Sequence, residues 1–169
     1  MPRPTRIEPG PGQESVWDYP RPPGVERTGE HVVVVLGGVV VVDTRRALRV
    51  VETSHPPSYY LPVDDALAGA LRPAAGTSWC EFKGTAGYLD VLGGDPIGSV
   101  VAPGAAWTYP RPSPGFELLA GHVALYPGRM DRCTVDGETV VAQEGGFYGG
   151  WVTSRVVGPF KGVPGSRGW

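Results

Sequence analysis

Three groups of residues carry side chains able to do chemistry. Cys80 stands in the run Thr77-Ser78-Trp79-Cys80-Glu81-Phe82-Lys83-Gly84. A thiol acts as a nucleophile only where a base or a positive charge lowers its pKa. The histidines are His31, His55 and His122, and no motif ties any of them to Cys80. Burial as a small hydrophobe is therefore the expected role of this cysteine. Asp64-Asp65 could hold a cation, but paired acids ahead of Ala66-Leu67-Ala68-Gly69-Ala70-Leu71 suit the first turn of a helix, where they favour its dipole. The third group is mixed. Arg49, Glu52, Glu81 and Lys83 are set among Tyr59, Tyr60, Trp79, Trp107, Tyr109 and Tyr126. Aromatic walls with a few polar groups are the composition of a concave ligand site.

The elements that must position these groups read as short strands. Arg49 to Thr53 alternates with β-branched residues, and Pro56-Pro57 stops it. Tyr59-Tyr60 is held between prolines. Asp64 to Leu71 reads as one short helix with Leu67 and Leu71 on one face, ended by Pro73. In Thr77 to Gly84, strand parity puts Trp79, Glu81 and Lys83 on one face and Cys80 and Phe82 on the other. His31 to Leu36 and Val39 to Asp43 form a hairpin about Gly37-Gly38, and the nearly pure Val run suggests burial on both faces. Ala86 to Leu92 pairs with Pro96 to Val101, Gly121 to Tyr126 is a strand, and Thr134 to Val141 is a hairpin with Asp136-Gly137 at its tip.

The motifs PP-x-YY-x-P, TSWCEFKG-x-A-x-Y, AAW-x-YP and GFYGGWVT-x-x-VVGPFKG-x-PG-x-x-GW occur in that order between about Trp17 and Trp169. Together they resemble the domain of unknown function 427 family, sometimes labelled a nucleotidyltransferase domain. The resemblance implies a mainly β fold of the β-tent (Mss4-like) kind: two antiparallel sheets leaning together, here with one short helix. Methionine sulfoxide reductase B and the cereblon drug-binding domain share that shape. The resemblance implies no particular substrate.

A chain of 169 residues with 26 Gly and 19 Pro suits one domain of many short strands and tight turns. Residues 1–15, polar and rich in Gly and Pro, are expected to be a flexible arm, and residues 16–169 the single domain. Net charge −2 gives no general pull toward nucleic acid or an anionic membrane. The N-terminal residues do not read as a signal peptide and no apolar run is long enough to span a bilayer as a helix, so a cytoplasmic location is expected. Cys80 and Cys133 lie far apart without a CxxC, so neither a disulfide scaffold nor a zinc site is expected, nor any other metal. An internal echo, Trp17-Asp-Tyr19-Pro-Arg-Pro against Trp107-Thr-Tyr109-Pro-Arg-Pro, fits either a duplicated half-domain or chance reuse of a docking segment.

Three functions can be weighed. An unknown small molecule bound in an aromatic-lined pocket between the sheets uses Arg49, Glu52, Tyr59, Tyr60, Trp79, Glu81, Lys83, Trp107, Tyr109 and Tyr126. A nucleotidyltransferase needs carboxylates on Mg²⁺, yet Gly98-Ser99 is followed by no Asp-x-Asp, and no phosphate-binding Gly-rich loop ending in Lys-Ser/Thr exists. No cofactor is indicated. An interaction module would use the Pro/Trp segments and need Trp17 and Trp107 exposed. For the pocket, Lys83 is expected near Glu52 or Arg49 at its mouth, facing an anionic or carbonyl-bearing ligand, with Glu81 suited to Arg49. The large aromatics of the tail, Phe147, Tyr148, Trp151, Phe160 and Trp169, are expected to be structural. The oligomeric state is not readable.

Overall fold

Residues 3–169 are described in a computed structural model of the chain; Met1 and Pro2, the start of the expected arm, lie outside the described residues. The strands, in chain order, are Glu14–Ser15 (β1), Gly24–Arg27 (β2), Val32–Leu36 (β3), Val39–Thr44 (β4), Leu48–Val51 (β5), Ser58–Pro62 (β6), Leu71–Cys80 (β7), Gly84–Gly93 (β8) and Val100–Thr108 (β9). After them come His122–Leu125 (β10), Arg132–Val135 (β11), Glu138–Thr139 (β12), Val141–Ala142 (β13), Trp151–Val152 (β14) and Val156–Val157 (β15). A seven-stranded antiparallel sheet runs β2-β5-β6-β10-β9-β8-β7, and a four-stranded one runs β12-β11-β3-β4. β1 pairs with β15 in parallel, and β13 with β14 antiparallel. The fold is mainly β, built of several antiparallel sheets, as expected of a tent or sandwich.

Local sequence explains much of this. The β3–β4 hairpin turns at Gly37 (φ 61°) and Gly38 (φ 73°), the two positive-φ positions that a two-residue type I′ loop requires. Val32, Val34 and Leu36 are buried while Val33 and Val35 are only half-buried, so the Val run covers one core face and not two. Asp136 (φ 49°) and Gly137 turn the chain between β11 and β12.

The expected helix from Asp64 to Leu71 does not form. A single 3-10 turn spans Val63–Asp65. The Leu67 N–H then donates across to the Val41 carbonyl at 2.8 Å, Gly69 (φ 81°) redirects the backbone, and Leu71 opens β7. Leu67 is exposed, so the leucine spacing marks no buried face. Asp65 instead accepts from the Thr44 hydroxyl at 2.6 Å and from Arg46. Among the described residues no helix is long and apolar enough to cross a membrane.

Parity in the large sheet divides its side chains between two cores. On one face Tyr59, Leu61, Ala106 and Val123 meet Val32, Val34, Val41 and Val42 of the four-stranded sheet. On the other face Leu48, Val50, Tyr60 and Ala124 form a second cluster with Tyr109, Phe116 and Leu119. The tail closes the first core with Trp151, which is 1% exposed; burying such a ring contributes roughly 2–3 kcal/mol.

The chain's two ends are stitched together. Ile7 donates to Gly158, Glu14 to Arg155 and Lys161 to Ser54 through their backbones. The Trp17 indole N–H donates to the Pro159 carbonyl at 2.9 Å, and its ring meets Trp169 edge-on at 5.8 Å. Trp17 sits in a 3-10 turn whereas Trp107 lies in β9, so the echoed segments have different backbones.

Candidate functional site

A cavity of about 370 Å³ opens on the outer face of the seven-stranded sheet. Its floor follows from strand register. Val50 lies opposite Ser58 across β5–β6, Trp107 opposite Ala124 across β9–β10, and Tyr88 opposite Trp107 across β8–β9. These residues share the face that carries the second core. The cavity is therefore not between the two sheets, as expected from the sequence. It lies behind the large sheet, because Tyr60 and Trp107 have the opposite parity to Tyr59 and Ala106, which fill the inter-sheet core.

The aromatic wall is self-supporting. The Trp107 indole N–H donates to the Tyr60 hydroxyl at 3.2 Å, with the rings perpendicular at 6.5 Å. Tyr126 lies 4.7 Å from Trp107, and Tyr109 lies 6.4 Å from Tyr60, centroid to centroid. Burial raises the Tyr60 and Tyr109 hydroxyls well above the ordinary phenol range, so both stay neutral donors. Trp79 (74% exposed) and Phe147 (79%) flank the opening. Phe147 thus departs from the expectation that every large aromatic of the tail is buried.

The roof is the segment from Gln143 to Gly149, and one amide fixes it. Gln143 Oε1 accepts from the Gly150 N–H at 3.1 Å, and its Nε2 donates to the Lys161 carbonyl at 2.7 Å. That orientation leaves Nε2 as the donor to His55 Nδ1 at 3.2 Å. Nδ1 is therefore the unprotonated nitrogen, and the proton of the neutral ring sits on Nε2. Burial, then the positive charges of Lys161, Arg21 and Lys83, push the His55 pKa down to about 4. His55 meets the Tyr148 ring edge-on at 5.2 Å. It enters the cavity as a neutral donor, not as a ready base.

Lys83 also lines the cavity, its Nζ 5.7 Å from the centre of the Tyr109 ring. The parity expected for it fails for a plain reason. β7 ends at Cys80, and residues 81–83 are the turn into β8. Cys80 and Phe82 are partly buried against the second core, and Cys80 reaches the cavity lining. Glu52 lines the cavity too, but its ion pair is with Arg21 at 3.5 Å, not with Lys83.

Seven of the ten residues expected from the sequence meet here: Glu52, Tyr60, Trp79, Lys83, Trp107, Tyr109 and Tyr126. Three do not. Tyr59 is in the inter-sheet core, its hydroxyl donating to Glu30 at 3.0 Å. Arg49, on the same sheet face as Tyr59, is 4% exposed and pairs with Glu26 and Glu14. Burial alone would lower its pKa, but the hydrogen bond to Glu26 and the charges around it raise it, so Arg49 is a fixed structural cation. Glu81 is in the exposed hairpin turn, away from Arg49. Sequence reasoning missed His55, Gln143 and Tyr148, which no local motif joins.

The arrangement offers ring-sized apolar walls, one ammonium and one neutral imidazole donor. Among the described residues no group of three or more His, Cys, Asp or Glu side chains could hold a metal ion. A family model described as "Domain of unknown function (DUF427)" matches residues 24–136, about two thirds of the chain. No curated protein matches the chain.

Proposed function

We propose, from the premise that the chain belongs to the DUF427 family, that it binds a small molecule in the cavity behind the seven-stranded sheet. The observation that carries this reading is the convergence of Tyr60, Trp107, Tyr109 and Tyr126 with Lys83 and His55 around one 370 Å³ space. Ligand sites combine such apolar walls with a few orienting polar groups. Binding is favoured over covalent chemistry because the Nδ1 of His55 is taken by Gln143 and burial lowers the ring's pKa to about 4, which makes it a poor general base. The reading takes the cytoplasm as its compartment, two free cysteines being compatible with reducing conditions.

The test is native mass spectrometry of the purified protein for a co-purifying mass, repeated on Lys83→Met. Retained stability with loss of that mass supports the reading; lowered stability with binding unchanged per folded molecule makes Lys83 a structural residue. Mg²⁺-dependent binding of a nucleoside triphosphate would favour the nucleotidyltransferase alternative instead.

A further inference from the structure

The charge inventory of the cavity narrows its ligand to one class; this step rests on the reading of the cavity as a binding site. Glu52 is the one carboxylate among the described lining residues, and it is engaged by Arg21. Lys83 has no such partner in the wall; its ammonium lies over the electron-rich face of Tyr109. His55 is held neutral with its donor nitrogen free of the Gln143 contact. Lys161, Arg21 and Lys83 all act on the His55 ring as positive charges. The hydroxyls of Tyr60 and Tyr109 remain protonated. The one charge of the described lining without an ion-pair partner is therefore the Lys83 ammonium, with the one lining acid already paired. A cation partly removed from water gains most from an anion brought to it. The walls are rings, so the body of the ligand is a flat one.

We infer that the cavity takes a planar, ring-bearing anion, its carboxylate or equivalent oxyanion toward Lys83 and the His55 Nε2–H, and its ring against Trp107 and Tyr109. A neutral carbonyl compound of the same shape would keep the ring contacts and lose the charge-assisted hydrogen bond, which is about twice as strong as a neutral one.

The experiment is an isosteric series titrated by calorimetry and by protein-observed NMR: naphthalene-2-carboxylate, naphthalene-2-carboxamide and 2-naphthylmethylammonium. The expected result is that the carboxylate binds at least tenfold more tightly than either analogue. Lys83→Met should reduce it to the level of the amide, while Lys83→Arg, which keeps the charge, should retain the preference. Equal binding of carboxylate and amide, with shifts at Trp107 and His55, would overturn the anion assignment and leave the cavity as a ring-binding site. Tightest binding of the ammonium would overturn it in favour of Glu52 as the determinant. Absence of shifts at Trp107 and His55 with all three probes would refute the binding site itself. If Lys83→Met does not fold, the wild-type series and Lys83→Arg still decide the question.

Discussion

Gly149 in the roof lies directly against the indole of Trp107 in the wall: a Cβ built on Gly149 would collide with the ring's Cη2 atom. Its φ is outside the left-handed region, so contact and not backbone conformation demands glycine there. Gly149→Ala should lower stability by about 1–3 kcal/mol, the usual cost of overpacking, and weaken probe binding by displacing the roof. Gly87→Ala is the control, because a Cβ there meets nothing within 4 Å. Equal melting curves for the two variants would show that roof and wall are not in contact.

His55 makes stability depend on pH. Its folded pKa, about 4, is below the ordinary histidine value of 6.5. The unfolded chain thus binds the proton more readily, and the contribution of this group is fully present above pH 6.5. It is lost as pH falls from about 6.5 through about 4, in total on the order of 3 kcal/mol. Replacing His55 by Phe should flatten the stability profile in that window. An NMR titration of the ring should give a midpoint near 4 and the Nε2–H tautomer above it; a midpoint near 6.5 would contradict the buried, Gln143-bonded imidazole.

The two thiols should separate by reactivity. Burial pushes the Cys133 pKa up to about 12, and Cys133 is 2% exposed. Cys80 is half-buried and reaches the cavity. Iodoacetamide should label Cys80 in the native protein and leave Cys133 intact until unfolding. Naphthalene-2-carboxylate at saturation should slow the labelling of Cys80, as peptide mass mapping would detect.

Arg49 should matter for folding and not for binding. Its guanidinium Nε donates to Glu26 at 2.7 Å and Nη2 to Glu14 at 3.1 Å, on the sheet face away from the cavity. Arg49→Met would remove this partner from the exposed Glu26 and leave Glu14 with Tyr19 and Arg155, at a cost of roughly 1–2 kcal/mol. Denaturant titration reads the loss. Probe affinity per folded molecule should be unchanged, and a fall would place Arg49 in the site after all.

The legible part of this fold was the part written locally. Gly37-Gly38 and Asp136-Gly137 specify their turns by backbone conformation, and the sequence positions both hairpins correctly. The site was legible as composition: Tyr60, Trp107, Tyr109 and Tyr126 could be named because large aromatics with polar edges need somewhere to go. Parity could have excluded one of Tyr59 and Tyr60, since neighbours on a strand face opposite ways; which one it excludes depends on which face meets the other sheet. Lys83 lines the cavity as expected, but not by strand parity: β7 ends at Cys80, Lys83 sits in the turn that follows, and both reach the same space. The Asp64 to Leu71 pattern imitates a helix in leucine spacing, but pairing of Leu67 with Val41 outweighs a local propensity interrupted by Gly69. The link between His55 and Gln143 joins residues that lie far apart in the chain, and nothing short-range announces it.

β10 is made after β9, yet it lies between β9 and β6. A growing chain that has reached Trp107 already contains Tyr60, Tyr88 and Trp107, but β6 and the β7–β8–β9 meander have no edge in common. They become neighbours only when the four residues His122–Leu125 insert and pair with both. The pocket is thus completed by one short strand that joins two parts of the sheet with no other shared edge. Such non-local closure is slow compared with hairpin formation. Val123 and Leu125, both 0% exposed and facing away from the cavity, hold the seam on which its assembly depends.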